Sequence, residues 1–195
     1  MNRTLQIALS ALLLFVAALF LLWMQWLQLS HVLHPVALAG ARGVPGAMLF
    51  NALVFVLPGV LVMLVALRLR GVLPVDARWP ARIGAGLLLL SAIAFSAQGL
   101  LPLDPEGLDD GASRFHASAW MAWWIAFALG APLFALAAGM QRIAGVLAAL
   151  AVLTLSLFAS DWVPAGAGQR AAYVVWFSWF WRIGSSNALF GQSAG

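Results

Sequence analysis

Residues 7–22 read IALSALLLFVAALFLL: sixteen positions without a charge, in which Ser10 is the one polar side chain. Counted outward from Leu5 to Leu29, the apolar stretch is long enough to cross a bilayer core of about 30 Å as a helix rising about 1.5 Å per residue. A secretory leader is the competing reading, because Ala37-Leu38-Ala39 resembles a cleavage site. The apolar core slightly exceeds the usual leader maximum of about 15 residues, and the site lies far downstream. The stretch is therefore expected to be a retained membrane span.

The rest of the chain repeats the pattern. Of the 195 residues, 64% are hydrophobic and 8% charged. A soluble domain carries about 25% charge, too much to match here. Six spans are expected, at about 5–29, 46–67, 83–101, 117–140, 143–159 and 171–190. Each must be helical, since lipid satisfies no stray backbone donor or acceptor. The expected fold is all-α: a polytopic membrane protein, one six-transmembrane-helix bundle over residues 1–195.

Charge gives the orientation. All ten basic residues are arginine. With the N-terminus in the cytoplasm, Arg3, Arg68, Arg70, Arg78, Arg82, Arg142 and Arg182 lie inside, and Arg42, Arg114 and Arg170 lie outside. That asymmetry obeys the positive-inside rule. Both termini are then cytoplasmic, and the expected location is the cytoplasmic (inner) membrane of a bacterium. The arginines are scattered singly between apolar runs, so no nucleic-acid surface is expected.

Absences remove whole chemistries. Without cysteine there is no disulfide, thiol nucleophile, iron–sulfur cluster or thioether-linked haem. Without lysine there is no Schiff base. EF-hand spacing is missing from the acidic stretch Asp104, Glu106, Asp109 and Asp110.

The polar residues that remain fall at one depth. His31 and His34 follow the first span, Asn51 lies early in the second, and Gln98 lies late in the third. Asp104 stands between Pro102 and Pro105 in the next loop, His116 opens the fourth span, and Arg170 opens the sixth. Polar groups at membrane depth usually face the bundle interior or a wet cavity. These seven are expected to converge on a pocket open to the outer side. Trp120, with Trp123 and Trp124 on the same helix face, is expected to form its aromatic wall. The same rings, with Trp23, Trp26 and Trp162, also suit an outer interfacial belt. In the last span, Trp176, Phe177, Trp179, Phe180 and Trp181 cover most of the circumference, so this helix is expected to face both lipid and protein. No cofactor is favoured. The one metal alternative is zinc on His31, His34, Asp104 and His116, three nitrogens and one oxygen with room for water.

Several of these residues carry a resemblance. His34-Pro35, Phe50-Asn51, the run Gly99-Leu100-Leu101-Pro102-Leu103-Asp104-Pro105, His116 and Gln169-Arg170 resemble the bacterial and archaeal membrane family catalogued as domain of unknown function 998. The resemblance spans roughly residues 5–190 and implies about six membrane helices. It implies no reaction. Three functions follow from the residues. The first is binding or transport of a lipid or other amphipathic small molecule through the outer pocket. The second is an accessory or structural subunit of a membrane complex, and the third a metal-dependent membrane hydrolase. The expected partners are membrane lipids, with a membrane-protein partner or a second copy of the chain as alternatives.

Overall fold

The first apolar run does form a helix, and Asn2 starts it: its Oδ1 accepts the Leu5 N–H at 2.7 Å, a side-chain cap on an otherwise orphan donor. The computed structural model describes residues 2–23, 29–107, 111–136, 142–158 and 162–185. Expectations resting on Trp26, Asp109, Asp110 and Asp161 lie outside those residues, as do the ends assigned to the fourth and sixth spans.

Helix α1 is Arg3–Trp23. A short 3₁₀ turn, Val36–Gly40, precedes α2, Ala47–Gly71. Then follow α3, Trp79–Leu100, and α4, Gly111–Ala135. Helix α5 is Arg142–Leu157 and α6 is Ala165–Gly184. No strand occurs among the described residues. Helices α1 to α4 are long and apolar enough to cross a membrane. Helix α5 is apolar but shorter. Helix α6 has 20 residues but is less apolar, with Gln169, Arg170 and Arg182 within it.

The boundaries correct the sequence reading in four places. The chain has left the helix by Leu29–Ser30, where a turn closes with Val32 and Leu33 donating to Ser30 Oγ. Helix α3 starts at Trp79, four residues before the expected 83, because Pro80 suits a first helical turn. Helix α4 starts at Gly111 instead of 117, and α6 at Ala165 instead of 171. Both early turns are polar or glycine-rich, so hydropathy places the boundary too late. As a result His116 and Arg170 lie in the second turns of their helices.

Pro58 leaves a mark on α2. Residues Ala52–Val56 are π-helical, and the Leu57 N–H reaches back five residues to the Ala52 carbonyl. Proline has no N–H and its ring crowds the carbonyl four residues earlier; widening the turn before it relieves the crowding.

The helices alternate in direction. Asn2 Nδ2 donates to the Gly184 carbonyl at 3.1 Å, so the start of α1 meets the end of α6. Gly99, late in α3, packs on Asn51 and Phe55 of α2. Gly84, early in α3, abuts Gly130 and Phe134, late in α4. Gly145 of α5 abuts Ala131 and Ala135 of the same helix end. One end of the bundle thus collects residues 30–46, the end of α3 and the starts of α4 and α6. The other collects Arg3, Arg68, Arg70, Arg78, Arg82 and Arg182. There Arg82 clamps the α2–α3 loop, donating to the carbonyls of Val75 and Ala77.

Aromatic side chains from five helices fill the centre. Phe95 of α3 stacks on Trp176 at 4.8 Å and meets Tyr173 edge-on at 5.1 Å. It also touches Phe55 at 5.5 Å, Phe177 at 5.3 Å, Phe15 at 6.2 Å and Trp123 at 6.3 Å. Such pairs add roughly 0.5–1.5 kcal/mol each beyond the area they bury. Ser91 supplies the polar handle, accepting from Trp176 Nε1 at 3.0 Å and donating to the Trp123 carbonyl at 2.9 Å. Trp123 is therefore a core residue and not part of an interfacial belt. Trp162 is 76% exposed, and Trp79 and Trp181 are exposed near the arginine-rich end. In α6, Trp176, Phe177, Trp179 and Phe180 are all buried, so this helix turns little but Trp181 and Val174 of its large apolar side chains outward.

Candidate functional site

Glycines bring the backbone of α6 against the segment that follows α1. A methyl group at Gly166 would overlap the carbonyls of Val32 and His34. That contact lets the Ala167 N–H donate to the Val32 carbonyl at 2.9 Å. It also places Arg170, whose Nη1 donates to the His34 and Gly166 carbonyls, each at 2.8 Å. One residue earlier, Gln169 Oε1 accepts the Val36 N–H at 2.7 Å.

The ties continue inward. Gln169 Nε2 donates to the Tyr173 hydroxyl at 3.4 Å, and that hydroxyl donates to Gln98 Oε1 at 2.8 Å. Gln98 is 1% exposed. Its own carbonyl and that of Leu101 face His116 Nδ1 at 3.2 and 2.9 Å. Carbonyls only accept, so Nδ1 carries the proton, and the imidazole serves as a cap for the orphan carbonyls at the end of α3. Asp104 is held by its backbone: its N–H donates to Ser113 Oγ at 3.0 Å, and Ser113 Oγ donates back to its carbonyl at 3.1 Å. Trp120 packs on Trp123 at 4.9 Å and Tyr173 at 5.7 Å.

The expected residues therefore share one end of the bundle, but most of them bind backbone there. The zinc candidates His31, His34, Asp104 and His116 are not gathered in this geometry. Among the described residues no three acidic or histidine side chains gather closely enough to hold a metal ion. His34 Nδ1 accepts the Ser30 N–H at 2.8 Å, His116 Nδ1 caps α3, and Asp104 Oδ1 accepts the Glu106 N–H at 3.0 Å. His31 leans on Phe20, with ring centres 5.3 Å apart. Burial, with the Arg170 charge as a smaller second cause, holds its imidazole below the ordinary histidine value.

An opening lies to one side of this network. A cleft of about 460 Å³ is lined by the Gly40–Gly43 turn, the start of α2 and the end of α3. Asn51 is the one expected pocket residue that lines it. Its Nδ2 donates to the Gly40 carbonyl at 2.8 Å, and a methyl at Gly40 would overlap the amide, so Gly40 and Asn51 together fix that wall. Arg42 is the charged residue of the lining. Sequence reasoning missed it, counting it only as an outer charge. The available signal was its neighbourhood: Gly40, Gly43 and Gly46 within seven residues, with Gly43 and Gly46 at φ of 79° and 76°.

Removing the hydroxyl at Tyr173 tests whether the network is structural. Tyr173→Phe leaves Gln98 Oε1 without its donor, beside an Nε2 that has no partner among the described residues. The expected loss is about 1–2 kcal/mol of stability, read by denaturant unfolding in mixed micelles. Unchanged stability would show that the buried amide finds another donor. Comparison of the chain with protein-family models, with curated proteins and with solved structures found no match.

Proposed function

We propose that the protein binds or transports a lipid or another amphipathic small molecule through the cleft beside Asn51. The reading places all six helices across a bacterial inner membrane, with both termini in the cytoplasm and the cleft on the outer side. The arginine asymmetry between the two ends supports that orientation. Membership of the family catalogued as domain of unknown function 998 is proposed with it. His34-Pro35, Asn51, Gly99, Asp104 and His116, which carry that resemblance, all belong to the same end.

The observation that carries the reading is the cleft itself. Its size falls in the range of small-molecule sites, about 300–1,000 Å³, and apolar lining with a few placed polar groups is typical of such sites. It opens beside Met48 and Leu100, which are 88% and 67% exposed and would face acyl chains directly. The test is photo-crosslinking in vesicles with a lipid carrying a diazirine near its headgroup. Labelling is expected to concentrate on Met48, Ala52 and Leu100. An even spread over the lipid-facing sides of all helices would overturn the proposal.

A further inference from the structure

We infer that the cleft selects a membrane lipid with an anionic phosphate headgroup, held by Arg42 above a single acyl chain that lies along α2. The inference rests on the reading of the cleft as an amphiphile site and adds the chemistry of the occupant.

Charge is the first ground. Arg42 is exposed and lines the cleft, and no acidic side chain lines it. A planar guanidinium offers paired donors that match two phosphate oxygens, and it favours a headgroup whose phosphate charge is not already offset by a neighbouring ammonium, so it discriminates an anionic from a zwitterionic phospholipid. The mount is fixed before any ligand arrives. The Arg42 N–H donates to the Leu103 carbonyl at 2.9 Å, and Ala41 and Val44 close turns on either side, donating to Leu38 and Ala41 carbonyls at 3.3 and 3.2 Å. The nearest loop carboxylate in sequence to Leu103, that of Asp104, is engaged by the Glu106 N–H.

Shape is the second ground. Met48, Ala52 and Val56 recur every fourth residue and all line the cleft, so α2 presents an apolar stripe below the cation. Eight residues of helix extend about 12 Å, which carries the stripe from the headgroup level well into the hydrocarbon. Leu100 and Pro102 add further apolar lining. One cationic end and one apolar track, joined at a fixed distance, are complementary to an anionic amphiphile.

The test uses the full chain in nanodiscs of equimolar phosphatidylglycerol and phosphatidylcholine, with retained lipid counted by native mass spectrometry after partial delipidation. The wild type is expected to retain the anionic lipid about tenfold over the zwitterionic one. Arg42→Gln is expected to bring the ratio close to one while lipid is still bound. Arg114→Gln, which changes a charge at the same end outside the cleft, is expected to leave the ratio as it was. Met48→Trp, at an exposed position where folding tolerates bulk, is expected to lower retention of both lipids. Equal retention by the wild type overturns the inference, and so does a preference that survives Arg42→Gln. Loss of the bound lipid to excess inorganic phosphate also overturns it, because the site would then recognise a free anion. If Met48→Trp and the bulkier fill Val56→Trp both leave retention unchanged, the cleft reading fails as a whole. If they abolish retention while Arg42→Gln keeps the preference, only the headgroup assignment fails.

Discussion

Gly84→Leu is expected to force α3 away from α4 and to cost about 3 kcal/mol or more of stability. A Cβ placed on Gly84 would sit 2.9 Å from the Gly130 carbonyl oxygen and 2.9 Å from Phe134 Cα, with the Phe134 nitrogen closer still. All three are backbone atoms, so no rotamer change makes room. The helices must separate, and separation loosens the core cluster to which Leu88, Ala92, Phe127 and Ala131 belong. In lipid that loss is decisive, because close packing between helices replaces the hydrophobic effect as the source of association. Gly86 is the internal control: a Cβ there meets nothing within 4 Å. Gly86→Ala is expected to be neutral or to gain up to about 1 kcal/mol from helix propensity. Unfolding in detergent or bicelles, monitored by tryptophan fluorescence, reads both. Equal behaviour of the two variants would show that the α3–α4 crossing is looser than described.

The second large effect is expected at the aromatic centre. Phe95→Ala removes a fully buried ring that touches partners from α1, α2, α4 and α6. In a soluble protein the cost would include transfer of the ring from water. For apolar helices that remain in lipid on unfolding, that part falls away and the cavity part remains. At about 24 cal/mol per Å³ of void, a hole of roughly 100 Å³ costs about 2–3 kcal/mol. Lost edge-to-face contacts add to it. Phe95→Leu, which refills much of the volume, is expected to recover about half the loss. The ratio of the two costs separates cavity from aromatic geometry: an equal cost for both would assign the stabilisation to the rings themselves.

Much of this fold was legible because lipid simplifies the problem. A helix is the one backbone form that satisfies its own hydrogen bonds in hydrocarbon, so each apolar run had to be helical. The runs beginning near Leu5, Gly46, Ile83, Ala117, Ile143 and Ala171 each correspond to a helix in the bundle. The boundaries were less legible. Helices α4 and α6 extend through Ser113–His116 and Gly166–Arg170, where hydropathy falls but hydrogen bonding does not. The π segment of α2 could be suspected from Pro58 only as a kink; that Ser96 of α3 donates to the Val56 carbonyl at its end, at 3.4 Å, is a contact between two different helices.

The candidate site divides in the same way. Composition and spacing were enough to bring Gln98, His116, Arg170 and Asn51 to one end, since their depth along each helix follows from counting residues. Direction does not follow from counting. Whether His116 faces a metal, a ligand or the carbonyls of α3 depends on how α4 is rotated against α3, and Gly84 and Gly130 are where the two backbones meet most closely. The same rotation sends Trp123 into the core and leaves Trp120 half-buried beside Tyr173.

The sequence by itself determined that the chain is helical and apolar, with its arginines gathered toward one end, because hydrogen bonding and charge act locally or through simple alternation of direction. Only the tertiary structure decided that most of the polar residues at the other end tie backbone to backbone, and that an opening lies beside them at Asn51 and Arg42. Cavities are differences between packed surfaces, and no single segment contains the information about how closely its neighbours approach.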